Sequence, residues 1–109
     1  MNINTVIANN IDPAYPTHPG EILKDEIEYR GVTQKALAEA MSVPYSLLNE
    51  VLNGKRVLNT ELALLVEATL DLPAESLLNM QARYTMMMTK RNIKFLQKLS
   101  KVKKIAAVL

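Results

Sequence analysis

The sequence predicts an all-α fold of five short helices followed by a basic, amphipathic C-terminal helix. Two observations carry this prediction: apolar residues recur at helical spacing in short segments, and Gly, Pro, Asn or Thr stands at the ends of those segments. The composition agrees, because Leu, Ala, Ile, Val and Met supply most of the 49% hydrophobic fraction, with one Phe and no Trp. The 109 residues are expected to form one domain with a tail.

The helices are predicted from their ends and their buried stripes. The first begins at Pro19, after Thr17 or His18 as cap, and ends at Gly31. The predicted segments that follow are Gln34 to Met41 after Thr33, Pro44 to Leu52 after the turn 42–44, Thr60 to Leu70 after Asn59, and Pro73 to about Met88. The predicted inward residues are Ile22, Leu23 and Ile27, then Leu37, Ala38 and Met41, then Leu62, Leu65, Val66 and Leu70.

The two ends of the chain are predicted to lie outside this domain, which spans residues 17–88. Residues 1–16 have Asn-Asn, Asp-Pro and Tyr-Pro steps and no helical period, so an extended or disordered arm is expected. Residues 89–109 are expected to be a basic helical extension. Its apolar stripe is predicted to contain Phe95, Leu99, Val102, Ala106 and Leu109.

The charge is distributed unevenly along the chain. Residues 1–75 contain all eleven acidic residues and five basic ones, a net charge of −6, whereas residues 76–109 contain eight basic residues and no acid. Such a basic segment indicates contact with phosphate or with an acidic protein surface, and a solvated helix face is the alternative.

The composition argues against several classes of protein. The sequence has no Cys, so neither a disulfide framework nor a thiolate metal site is expected. With one His, no Gly-rich phosphate loop and no nucleophile–base–acid set, we expect no enzyme activity, no metal and no cofactor. No secretory signal or membrane-length apolar run is found, so a cytoplasmic protein without membrane contact is expected.

The third helical segment has the two faces of a recognition helix. At about 100° per residue, its leucines and Val51 fall on one arc and its polar residues on the other. The polar arc contains Tyr45, Ser46, Asn49, Glu50 and Asn53. A major groove admits a helix whose exposed side chains reach base edges, so this arrangement favours DNA recognition. Thr33 and Gln34 before it, and Lys55 and Arg56 after it, are placed to meet phosphate.

These segments resemble the lambda-repressor-like (XRE) helix-turn-helix family, through TQKALA at 33–38, VP at 43–44 and NEVLNGKR at 49–56. With HPGEIL at 18–23, the chain is similar to the HigA-type antitoxins over about residues 17–85. The resemblance implies a five-helix lambda-repressor-like domain, a homodimer that represses its own operon at a palindromic operator in double-stranded DNA, and a RelE-like, mRNA-cleaving toxin as partner.

By position, the resemblance implies that Gln34 and Asn53 hold phosphates and that Lys55 and Arg56 hold the DNA backbone. The resemblance also implies that the residues facing the bases are Tyr45, Ser46, Asn49 and Glu50. The full set of candidate DNA-binding residues is Thr33, Gln34, Lys35, Pro44, Tyr45, Ser46, Asn49, Glu50, Asn53, Lys55 and Arg56.

The chain departs from the family pattern at the turn and in the recognition helix. Ser42 stands where the family usually has Gly, and Tyr45 and Leu47 stand where relatives often carry Arg. The basic C-terminal segment is hypothesised to compensate for the missing cations. Two other interpretations stay open: a stand-alone XRE-family or phage-type regulator without a toxin, and a ribosome- or RNA-associated protein that uses its basic tail.

Overall fold

The structure is a computed structural model that describes residues 16–109. Except for Pro16, the predicted N-terminal arm lies outside the described residues. Within residues 16–109 six helices and no strand are found, which confirms the all-α prediction. They are α1 Pro19–Arg30, α2 Gln34–Met41, α3 Tyr45–Leu52, α4 Thr60–Leu70, α5 Ala74–Thr89 and α6 Ile93–Ala106.

Side chains cap the starts of the helices as their sequences indicate. The Thr33 hydroxyl accepts the Ala36 N–H at 3.0 Å, and the Asn59 side chain accepts the Leu62 N–H at 2.9 Å. At α3 the helix starts one residue later than predicted, because Pro44 has extended backbone, with φ −59° and ψ 140°, and lies just outside the helix.

Each of the first three helices is closed by a residue in the left-handed region. Gly31, Ser42 and Gly54 have φ of 69°, 56° and 72°. After α2, the Val43 N–H donates to the Ala38 carbonyl at 3.0 Å, the hydrogen bond that closes this type of helix end. The short connections between α1, α2 and α3 therefore follow from local hydrogen bonding.

Ser42 adopts the left-handed conformation that a glycine accepts without a Cβ penalty. We expect Ser42→Gly to raise the free energy of unfolding by about 0.5–1 kcal/mol, the relief of strain less the added unfolded-state entropy. Ser76→Gly is the matched control, because Ser76 is exposed in right-handed helix α5 and should lose about 0.5 kcal/mol. Urea unfolding of both variants measures these changes in the free energy of unfolding. Changes of the same sign in the two variants would contradict backbone strain at Ser42.

The core is one cluster to which α1 to α5 all contribute. Helix α3 packs against α1 and α2, and α2 also packs against α4. The cluster contains Leu23, Ile27, Leu37, Ala38, Met41, Leu48, Val51, Leu52, Leu58, Leu62, Ala63, Val66, Leu70, Ala74 and Leu77. One predicted inward position is wrong, because Ile22 is 38% exposed, whereas Leu65 is partly buried and packs against the cluster as predicted. The reason at Ile22 is that α1 buries a narrow stripe through Leu23 and Ile27, about 100° away.

Two long-range polar contacts fix the segments around α3 and α4. The Leu58 N–H donates to the buried Gln81 Oε1 at 2.9 Å, which ties the loop after α3 to α5. The Arg30 guanidinium donates to the Leu70 carbonyl at 2.6 Å, at the negative end of the α4 dipole.

The described residues fall into two compact units, Thr17–Ala82 and a second that contains Arg83–Leu109. Helix α6 in the second unit has no buried residue. Of the predicted apolar stripe, Leu99 is half-buried, and Leu109 lies beyond the end of the helix. Among residues 16–109, no helix is both long and apolar enough to cross a membrane.

Candidate nucleic-acid interface

The polar arc of α3 lies at the protein surface. Tyr45 is 51% exposed, Ser46 is exposed, and neither side chain has a hydrogen-bond partner among the described residues. Both stand in the first turn of α3, directly after Pro44. The opposite arc is buried through Leu48 and Val51, so α3 is held by its apolar face while these two side chains remain available to a ligand.

The remaining amides of the arc form a hydrogen-bonded network that joins three helices. Lys24 Nζ on α1 donates to Asn53 Oδ1 at 3.1 Å, and Asn53 Nδ2 donates to Asn49 Oδ1 at 3.2 Å and to the Asn49 carbonyl at 2.9 Å. Asn49 Nδ2 then donates to Gln34 Oε1 at 2.9 Å. The network therefore runs from α1 through α3 to the first residue of α2.

This network orients the donors of the interface. With its Oε1 occupied by Asn49, Gln34 keeps both Nε2 protons without an acceptor among the described residues. Asn49 has one Nδ2 proton and one Oδ1 lone pair left for a ligand. The arrangement fixes the Gln34 side chain as a hydrogen-bond donor, which suits a phosphate oxygen. The Asn49 side chain can still both donate and accept one hydrogen bond.

Glu50 and Arg56 form an ion pair with each other. Arg56 Nε donates to Glu50 Oε2 at 2.7 Å, and both side chains are more than 40% exposed. An exposed pair of this kind contributes at most about 1 kcal/mol, so a phosphate can compete for the guanidinium.

The other candidate residues lie on the edges of the same surface. Lys35 and Lys55 are exposed and have no acidic partner among the described residues. Pro44 is exposed at the start of α3, and the Thr33 hydroxyl is engaged in capping α2. Thr33 therefore has its O–H donor and one hydroxyl lone pair left for a ligand.

His18 supports the interface through a long-range contact, whereas its sequence position predicts only a helix cap. The side chain is 2% exposed; its Nδ1 accepts the Gly20 N–H at 2.9 Å, and its Nε2 lies 3.1 Å from the Arg56 carbonyl. Because Nδ1 accepts, the proton is on Nε2, which donates to Arg56. Burial lowers the pKa of His18, against the raising effects of the Arg56 carbonyl and of Glu21. The neutral ring thus anchors the loop that carries Lys55 and Arg56.

Lys24 is the second residue that sequence reasoning missed. It lies on an acidic helix, 29 residues before its partner Asn53, and only the packing of α1 on α3 brings the two together. The sequence gives only a weak indication of this role, because Lys24 is one of two basic residues on a helix with four acidic ones. No cluster of three or more potential metal ligands is found among residues 16–109.

Comparison with known proteins identifies the family. Residues 23–77 match the helix-turn-helix family HTH_3. Virulence-associated protein I of Dichelobacter nodosus is 36% identical over 76 residues, which are 69% of this chain and 70% of that protein.

Two solved structures are similar over most of their length. One is an addiction module antidote protein of the HigA family from Coxiella burnetii, with 30% identity, a TM-score of 0.68, and coverage of 79% of this chain and 92% of that one. The other is the Pseudomonas aeruginosa antitoxin HigA with the higBA promoter, with 28% identity, a TM-score of 0.67, and coverage of 76% and 92%. The chain therefore belongs to the helix-turn-helix family, and within it to the HigA group of antidote proteins.

Proposed function

We propose that this protein is a HigA-type antitoxin that binds a palindromic operator as a homodimer, represses its own operon and neutralises a RelE-like toxin. The observation that carries the DNA-binding part is the exposed pair Tyr45 and Ser46 on a helix whose opposite face is buried. The related Pseudomonas aeruginosa antitoxin HigA was solved with the higBA promoter, which supports this interpretation.

In this proposal α3 enters the major groove and its first turn reads the bases. The Tyr45 ring meets a thymine methyl or a sugar, and Ser46 donates to or accepts from a base edge. Gln34, with two unengaged N–H groups, and Lys55 hold phosphates on either side. Arg56 exchanges Glu50 for a phosphate when DNA binds.

The proposal extends to the organisation of the chain. Residues 17–88 form a five-helix lambda-repressor-like domain, and residues 89–109 are its basic helical extension. The protein acts in the cytoplasm by binding, without catalysis, cofactor or metal. The absence of Cys supports a reducing compartment.

A matched pair of variants separates base reading from phosphate contact. We expect Tyr45→Ala to lower the ratio of operator to unrelated-DNA affinity about tenfold, near the lower end of what one base contact contributes. Lys55→Gln should weaken both affinities alike and reduce the slope of log affinity against log salt by about 0.9. Fluorescence anisotropy with both duplexes measures this, and an unchanged ratio in Tyr45→Ala would exclude it from base reading.

Co-purification from the native host tests the antitoxin assignment. A stoichiometric, basic partner of toxin size, encoded beside this gene, is the expected result. Recovery of the protein alone, still bound tightly to its own promoter, would replace the antitoxin assignment with that of a stand-alone regulator. Tighter binding to RNA than to duplex DNA would replace both with an RNA-associated role.

A further inference from the structure

The two compact units of the chain carry opposite charge. Thr17–Ala82 contains ten acidic and five basic residues, a net charge of −5, whereas residues 83–109 contain eight basic residues and no acid. A unit with this negative charge repels a polyanion at long range, even though it carries the recognition helix. The net positive charge that can attract DNA at long range lies in residues 83–109.

The recognition helix itself adds no positive charge. Helix α3 has no Lys or Arg, and its single ionisable acid, Glu50, is paired with Arg56 in the following loop. In the free protein, three cations near α3 have no acidic partner among the described residues: Lys24, Lys35 and Lys55. These few contacts supply only part of the counterion release on which affinity for DNA depends.

Helix α6 carries a row of lysines on one side. Lys94, Lys98 and Lys101 are spaced four and three residues apart, which places them within an arc of about 60° and along about 10 Å of helix axis. All three are exposed, and none is in an ion pair or side-chain hydrogen bond among the described residues. Duplex DNA has one phosphate charge per about 1.7 Å of axis with both strands counted, so a duplex segment of this length carries about six phosphates, more than the three lysines can contact.

We propose that Lys94, Lys98 and Lys101 form a second, sequence-independent phosphate-binding surface for double-stranded DNA. The inference rests on the proposed DNA-binding function and adds the source of its electrostatic affinity. Three ammonium groups without a neighbouring acceptor recognise charge density rather than shape. DNA is the favoured polyanion because the same chain exposes the polar arc of α3, which is proposed to read duplex DNA.

The test uses the full-length chain and a duplex of unrelated sequence. Removal of three phosphate contacts by K94Q/K98Q/K101Q should reduce the salt slope of log affinity by about 2.7. Between about 50 and 200 mM salt, the wild-type protein should then lose about 40-fold more affinity than the variant. The control K94R/K98R/K101R keeps the charges and should retain the wild-type slope. Circular dichroism checks that α6 stays helical in both.

The opposing results are distinct from failure of the proposed function. A slope in the glutamine variant equal to that of the wild type would overturn the proposal, and so would failure of the wild type to bind the unrelated duplex at low salt. Loss of binding to phosphatidylserine-containing vesicles, with an unchanged DNA slope, would overturn it in favour of a membrane surface. The duplex used here does not contain the operator. If the protein proved to have no operator preference, the salt slope on this duplex would therefore still test the lysine surface.

Discussion

Replacing Gly20 with alanine is expected to destabilise the protein by roughly 3 kcal/mol, the upper part of the range for an overpacked site. A Cβ at this position would lie 1.9 Å from the Val51 carbonyl oxygen and 2.9 Å from its carbon. Both are backbone atoms, so no rotamer change relieves the overlap. Helices α1 and α3 would have to separate at the point where the first turn of one meets the last turn of the other.

Gly31→Ala is the matched control for this prediction. Gly31 has φ of 69° and no atom within 4 Å of an added Cβ, so it should lose only about 1–2 kcal/mol through its backbone conformation. Urea unfolding by circular dichroism compares the two directly. Equal losses would show that α1 can shift on α3 at little cost. In Gly20→Ala we also expect weaker operator binding, because the displacement moves α3.

The parts of the fold that the sequence predicts are those that a few neighbouring residues decide. Thr33 and Asn59 cap helices whose donors lie three residues away, and Gly31 closes α1 through carbonyls in its last turn. The polar arc of α3 follows from the helical period alone. Each of these features depends on local geometry and was predictable at the level of single residues.

The parts that were not predicted depend on distances between segments far apart in sequence. The Lys24–Asn53 contact joins residues 29 apart, and His18 reaches the Arg56 carbonyl across 38 residues. Periodicity places Lys24 on an exposed side of α1 but gives no information about which helix lies beside it. The amide network therefore became visible only with the packing of α1, α2 and α3.

The same limit explains why Ile22 was misplaced. The sequence offers Ile22 and Leu23 as adjacent apolar residues, and a wide stripe would bury both. The close approach of Gly20 to Val51 sets the rotation of α1 so that Leu23 is fully buried and Ile22 is 38% exposed. The position of one glycine thus decides which of these two adjacent apolar residues joins the core.

Acidification is expected to destabilise the domain through His18. Burial holds the pKa of this imidazole below its ordinary value of 6.5, so between that value and the native pKa the unfolded chain binds the proton and the folded one does not. The contribution is fully present above pH 6.5 and is lost as the pH falls below it. For a single titrating group this slope cannot exceed about 1.4 kcal/mol per pH unit, and it levels off once the pH passes the native pKa.

His18→Asn isolates this contribution, because asparagine is also a good helix cap and can accept the Gly20 N–H but does not titrate. We expect the variant to lose stability at neutral pH, through the missing bond to Arg56 and the smaller buried side chain, and to show a shallower pH dependence below 6.5 than the wild type. Subtracting the two profiles removes the carboxylates common to both. A difference that stays constant with pH would contradict titration of His18. A difference that shrinks towards low pH follows directly from its chemistry: protonation of Nδ1 removes the acceptor for Gly20, and the charged ring would have to remain buried beneath the loop that carries Lys55 and Arg56.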